Sequence, residues 1–141
     1  MIYIQESGLK RQLELLALLS EVEVCELVIW LYPESKIKHL AGILILNDHE
    51  NLVAITTYED GTKPRRTSSL LATSNFMLTL KSFASKLKCN SDSIALYPEG
   101  DKEWSACAVG HEGMCLVRNE SLLSKIQSAG FSASLTAPPW W

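Results

Sequence analysis

Val24-Cys25-Glu26-Leu27-Val28-Ile29-Trp30-Leu31-Tyr32 is the stretch that decides the fold. Side chains alternate across a β-strand. Read that way, Cys25, Leu27, Ile29 and Leu31 share one face, and Val28, Trp30 and Tyr32 share the other. A β-branched and aromatic run that is apolar on both faces must be covered on both, which predicts a central strand. Downstream, residues 33–38 turn the chain and residues 40–46 read as a second strand, again apolar on both faces. Residues 47–51 are turn formers, and residues 52–58 read as a third strand. Short connections predict an antiparallel meander. Upstream, residues 2–5 suit a first strand. Ser7 is the expected N-cap of a helix over residues 8–20. Its apolar positions Leu9, Leu13, Leu15, Leu16, Leu18 and Leu19 are too broad for one narrow stripe.

The second half repeats this alphabet. Residues 59–73 are irregular and basic. Ser74 is placed to cap a helix reaching Lys88, with Phe76, Leu80, Phe83 and Leu87 at helical spacing. Residues 93–97 form a strand. Residues 104–109 and 114–117 form a hairpin around Gly110-His111-Glu112-Gly113. Asn119 caps a short helix with Leu122, Ile126 and Ala129 inward, and Gly130 ends it. Residues 131–135 are a last strand, before Ala137-Pro138-Pro139-Trp140-Trp141. The expected class is α+β. It has a mostly antiparallel sheet of about six to eight strands, two main helices and a short C-terminal helix.

Leu31-Tyr32-Pro33-Glu34 recurs as Leu96-Tyr97-Pro98-Glu99, with Ile29 and Ile94 two residues upstream of each. Residues 1–47 and 52–109 both read strand, helix, strand, strand, which suggests a duplicated unit with residues 110–141 as an extension. Two such units in tandem resemble, in fold order, bacterial effector-sensing domains that bind small cationic drugs. No sequence motif of those domains is present. A duplicated pair would pack about a pseudo-twofold axis with a cleft between the halves, and clefts at such junctions commonly bind ligands.

A chain of 141 residues is one domain of ordinary size. Hydrophobic residues are 47% and charged residues 21%, which excludes a disordered chain. A net charge of −3 argues against nucleic acid as a partner. No apolar run approaches the roughly 20 residues needed to cross a bilayer, and the opening residues carry no basic region ahead of an apolar stretch. The expected setting is the bacterial cytoplasm, without membrane association. Cys25, Cys89, Cys107 and Cys115 form no C-x-x-C pair, so Cys25 and Cys107 read as reduced core thiols.

Cys107, His111 and Cys115 hold zinc-ligand chemistry, and Glu112 or His49 could add a fourth ligand. In a symmetric hairpin, however, Cys107 faces Leu116 and Cys115 faces Ala108, so the thiols point to opposite faces. Neither a metal nor any other cofactor is expected. His39, His49 and His111 lack a nucleophile signature, so no catalytic residue is assigned. Lys63, Arg65 and Arg66 form a basic loop suited to an acidic partner surface. Glu14, Glu21, Glu23 and Glu26 make the region around the first helix acidic. Pro138 and Pro139 stiffen the approach to Trp140 and Trp141, which are expected to dock on their own domain or on a second copy.

These features favour a non-catalytic binding protein, of the immunity, antitoxin or adaptor kind. Lys63, Arg65, Arg66, Trp140 and Trp141 would meet a protein partner or a second copy of the chain. The alternative is a sensor or carrier of a cationic or aromatic small molecule. Glu26, Trp30, Tyr32, Tyr97, Glu103 and Trp104 would line its pocket of at least about 300 Å³. An enzyme of unrecognised type is the third class.

Overall fold

The structure, a computed structural model, describes residues 1–40, 42–46, 52–56, 58 and 64–141. The chain opens with β1 (Ile2–Gln5), α1 (Leu9–Ser20) and β2 (Cys25–Leu31). Short strands follow: β3 (His39–Leu40), β4 (Ile43–Leu46), β5 (Arg65–Thr67) and β6 (Leu70–Leu71). Helices α2 (Ser74–Lys81) and α3 (Ala84–Asn90) lead into β7 (Ser91–Pro98). The hairpin of β8 (Ala106–Val109) and β9 (Met114–Val117), then α4 (Leu123–Ser128) and β10 (Ala133–Ser134), complete the fold. The strands form one sheet ordered β10-β1-β9-β8-β7-β2-β5-β4-β3, with β6 also beside β2. Every pairing among the described residues is antiparallel. The fold is α+β, as the sequence predicts.

The central strand is β2, held between β7 on one side and β5 and β6 on the other. Cys25, Leu27, Ile29 and Leu31 enter the larger core, beneath Leu13, Leu16 and Leu19 of α1, Met77 and Leu80 of α2, Leu87 of α3 and Ile126 of α4. Val28 and Trp30 enter a second core on the opposite face, with Ala95, Tyr97, Cys107, Val109, Met114 and Leu116. Among the described residues no helix packs on that face, and Leu52, Ala54 and Ile55 lie across it.

The ten strands of the sheet exceed the expected six to eight because predicted elements break into pieces. Gly42, at φ +77°, turns residues 40–46 into the tight hairpin of β3 and β4. Only glycine adopts that conformation without steric cost. Two further strands, β5 and β6, come from the segment expected to be irregular. They are one neighbour of β2 interrupted at Ser68 and Ser69, where the Thr67 hydroxyl accepts the Ile29 amide at 3.0 Å. Conversely, the strand expected over residues 52–58 does not form among its described residues, and the expected meander is not built: β5 lies between β2 and β4. The Val53 carbonyl is taken by the Tyr97 hydroxyl at 2.6 Å, and the Val53 amide donates to the Lys102 carbonyl at 2.9 Å.

The second long helix is also divided. Ser82 donates to the Thr79 carbonyl at 2.6 Å and the chain turns at Phe83, which is exposed rather than in the apolar stripe. Local side-chain bonding of this kind competes with helix continuation. Thr73, not Ser74, caps α2 by accepting the Phe76 amide at 3.2 Å. Gly8, not Ser7, precedes α1 and offers no side-chain cap. The tail strand shortens to β10. The two Leu-Tyr-Pro-Glu segments end neighbouring strands, with Ile29 directly opposite Ile94. Their continuations differ: β7 passes straight to its neighbour β8, whereas β2 is followed by β3 and β4 before its neighbour β5. Among the described residues no helix is long and apolar enough to cross a membrane.

Candidate functional site

The register of β7 against β2 slips by one residue beyond Trp30, which pairs with Ser93 while Leu31 pairs with Ser91. Asp92 is the extra residue, a β-bulge of the kind that re-aims side chains beside sites. Its carboxylate is 2% exposed and lies 3.5 Å from Nδ1 of His111, in the turn after β8. A buried carboxylate is costly without charge or hydrogen-bond compensation. Here it faces the imidazole and two phenols: Tyr32, at the end of β2, and Tyr58. Burial first, and then the Asp92 charge, push both phenol pKa values up. The Tyr58 hydroxyl makes no hydrogen bond of regular geometry, although the carboxylate is close enough to act on it. The Tyr32 and His111 rings sit 6.0 Å apart, tilted by 54°.

In front of this group, at one end of the sheet, is a cleft of about 240 Å³. Ser7, Gly8, Leu9 and Gln12 line it from the start of α1, Tyr32 and Ser91 from the ends of β2 and β7, Lys88 from α3, and Gly110 and His111 from the hairpin turn. Gln12 is fully buried. Its Nε2 donates to the Glu6 carbonyl at 2.6 Å, which fixes the amide orientation. Its Oε1 is left with no donor. A Cβ on Gly110 would stand 3.9 Å from that oxygen, which is itself sealed from solvent. His111 is 40% exposed, and its Nε2 lies 3.5 Å from Glu112 Oε1. Both imidazole nitrogens therefore face a carboxylate oxygen. Among the described residues no serine or cysteine hydrogen-bonds to the imidazole, so no nucleophile–base pair is assembled.

The aromatic pocket expected from the sequence is not built as a pocket. Trp30, Tyr97 and Trp104 do come together, but as the filled second core. The Trp30 indole donates to the Tyr97 hydroxyl at 2.9 Å, and that hydroxyl donates onward to Val53. Indole and phenol satisfy one another, which is what buried amphipathic rings require. Glu103 is at the surface, paired at 3.3 Å with Arg118, whose guanidinium lies 4.1 Å over the Trp104 ring. Glu26 is half-buried, opposite Tyr97 on one side and Leu71 on the other. Of the six expected ligand residues, only Tyr32 lines the cleft.

Arg65 and Arg66 lie in β5 rather than on a loose loop. Arg65 donates to the Ile37 carbonyl at 3.2 Å and to the Ser35 carbonyl, tying down the turn after β2. Arg66 is buried, opposite Trp30, and donates to the Thr67 carbonyl at 3.2 Å. Lys63 and His49 lie outside the described residues. Trp140 and Trp141 are only partly covered. They pack edge to face on each other, 6.2 Å apart at 77°, and stay 58% and 43% exposed. Cys107 and Cys115 fall on opposite faces of the hairpin, in the two different cores. Burial pushes the Cys107 thiol up to about 12. Cys25, Cys107 and Cys115 are buried free thiols, and Cys89 is exposed. Among the described residues no group of three or more His, Cys, Asp or Glu is placed to hold a metal ion.

Sequence reading gave no site role to Gln12, Asp92, Ser7 or Lys88. The chain matches no protein-family model, and neither the characterised proteins nor the solved structures yield a significant match.

Proposed function

We propose that this is a non-catalytic, cytoplasmic protein-interaction module, and that Trp140 and Trp141 anchor its partner. The observation that carries this is the exposure of the two indoles, 58% and 43%, on a tail that is itself held in place. Pro138 is buried, and the Trp141 amide closes a turn onto the Pro138 carbonyl at 3.0 Å. Leu135, a few residues upstream, is also exposed. Trp is the residue most often found as a binding hot spot, where truncation costs about 2 kcal/mol or more. A rigid presentation lowers the entropy lost on association. Masking a partner's surface, as immunity, antitoxin and adaptor proteins do, needs no catalytic group. The partner contact rests on the Trp pair rather than on Arg65 and Arg66, whose guanidinium groups bond to backbone carbonyls of the chain.

The test compares wild type with the double variant Trp140→Ala, Trp141→Ala. Sedimentation velocity over a range of concentrations reads self-association. Cross-linking in the source cells reads other protein partners. The variant is expected to melt within a degree or two of wild type, because both rings are exposed, and to lose its association. Association of equal strength in both proteins would remove the Trp pair from the interface. A large fall in melting temperature would show that the rings serve the fold.

A further inference from the structure

Resting on the reading of the chain as a protein-interaction module, we infer that the end of the sheet where β2 begins is a docking surface for a basic segment of the partner, one that presents an aliphatic side chain between lysines or arginines.

The aliphatic half comes from an apolar depression at that end. Buried Cys25, Leu96, Ala106 and Val117 line it from four neighbouring strands, and Val22 and Glu23 line it from the chain that leaves α1. Its volume is about 40 Å³, little more than one water's share of roughly 30 Å³. That is room for the end of one side chain, and far below the roughly 300 Å³ of a small-molecule pocket. Val22 and Val24 are exposed beside it and extend the apolar surface.

The basic half comes from the charges around the depression. Glu21 is the C-cap of α1 and Glu23 follows two residues on, while the last turn of the helix holds no base. The carboxyl end of a helix favours cations. Both acids therefore stand where the isolated chain disfavours them. The Glu99 amide donates to the Val24 carbonyl at 3.2 Å, which sets a third acid beside the apolar pair, and Glu26 follows Val24 in β2. Glu103 and Glu120 at the same end are already paired, with Arg118 and with the amino terminus. Among the described residues no ion pair reaches Glu21, Glu23, Glu26 or Glu99.

Charge decides the occupant. A lysine or arginine from a partner meets these carboxylates and the carbonyl end of α1 together. A second copy docked about a twofold axis would set the same acids against each other, and an acidic partner meets the same repulsion.

The experiment is amide NMR of the isotope-labelled full chain, titrated with three short capped peptides. The probe has one leucine between two pairs of lysines; one control replaces the leucine by serine, the other replaces the lysines by glutamates. The probe should give saturable shifts at Glu23, Ser105 and Asn119. The serine control should bind about tenfold more weakly or worse, the loss of one buried aliphatic side chain. The glutamate control should not bind. Affinity for the probe should fall several-fold as ionic strength rises from about 0.02 M to about 0.5 M. The exposed double variant Glu21→Lys, Glu23→Lys should melt no lower than wild type, lose the lysine probe and accept the glutamate peptide. The inference is overturned if the probe leaves these amides unmoved, if the serine control binds equally well, or if neither salt nor the charge reversal changes affinity. The Trp140→Ala, Trp141→Ala variant should bind the probe as wild type does, so failure here and failure of the Trp anchor are read separately.

Discussion

Tyr97→Phe separates a structural aromatic core from a ligand wall. In the structure the Tyr97 hydroxyl accepts from the Trp30 indole at 2.9 Å and donates to the Val53 carbonyl at 2.6 Å, inside a side chain that is 1% exposed. Phenylalanine keeps the ring, so no cavity opens and the change is confined to two hydrogen bonds. Trp30 is 1% exposed as well, so its indole N–H would be stranded at a cost of about 1–3 kcal/mol. Val53 is 41% exposed, and water can replace the lost donor there, for a net cost of about 0.5–1.5 kcal/mol. The sum is about 3 kcal/mol. At roughly 2–4 °C per kcal/mol for a chain near this size, the melting temperature should fall by about 6–12 °C. Denaturant unfolding should show a lower midpoint with an unchanged slope, which marks a loss of native stability rather than a change in the unfolded state. A loss below about 1 kcal/mol would mean that water already reaches the hydroxyl. The second core would then be an accessible pocket, of the kind the sequence suggested for Trp30, Tyr97 and Trp104.

Two further predictions concern charge and thiols. Arg11 at 2.8 Å and Lys81 at 3.0 Å hold the Glu14 carboxyl below its ordinary value of 4.5. A carboxyl depressed in the folded state stabilises above its unfolded pKa and loses that effect as pH falls through the folded one. The melting temperature of wild type should therefore exceed that of Glu14→Gln at neutral pH, by a small margin because the side chain is 39% exposed. The margin should close as acid protonates the folded-state carboxyl, and a gap constant across pH would contradict the pairing. A thiol reagent should titrate Cys89 quickly in the native protein and reach Cys25, Cys107 and Cys115 only on unfolding, since burial both shields those three and raises their pKa values. A second fast thiol in the native state would show one of the cores to be open.

Alternation over residues 24–32 was enough to place β2 at the centre of the sheet, because a strand apolar on both faces has nowhere else to go. The hairpin was legible from Gly110 and Gly113, and with it the opposite orientation of Cys107 and Cys115. Other elements were set by partners distant in sequence. Nothing within residues 52–58 shows that the Val53 carbonyl will be claimed by Tyr97, so their strand propensity lost to a tertiary bond. Nothing within residues 65–71 shows that β2 will need a neighbour there, so a segment of poor strand propensity became two strands. The split of the helix at Phe83 was visible only as Ser82, whose hydroxyl competes for a backbone carbonyl.

The cleft was illegible as a unit, because Gln12, Tyr32, Ser91 and His111 come from four places in the chain. Its parts were nonetheless legible as local irregularities. Gln12 stands three residues after Leu9 and four before Leu16, inside the apolar face of α1. Lys10 and Arg11 sit in the first turn of that helix, where the dipole disfavours them. Asp92 and its serine neighbours interrupt the apolar start of β7. Each departs from what helix, strand and core ask of a sequence, and each has a stability cost. A folding sequence is consistent across such levels except where function overrides it. Lys10, Arg11 and Gln12 are neighbours in α1, and the fold brings Asp92 of β7 to the same end of the sheet. Gln12 lines the cleft, the first turn of α1 opens onto it, and Asp92 backs the His111 imidazole in its wall.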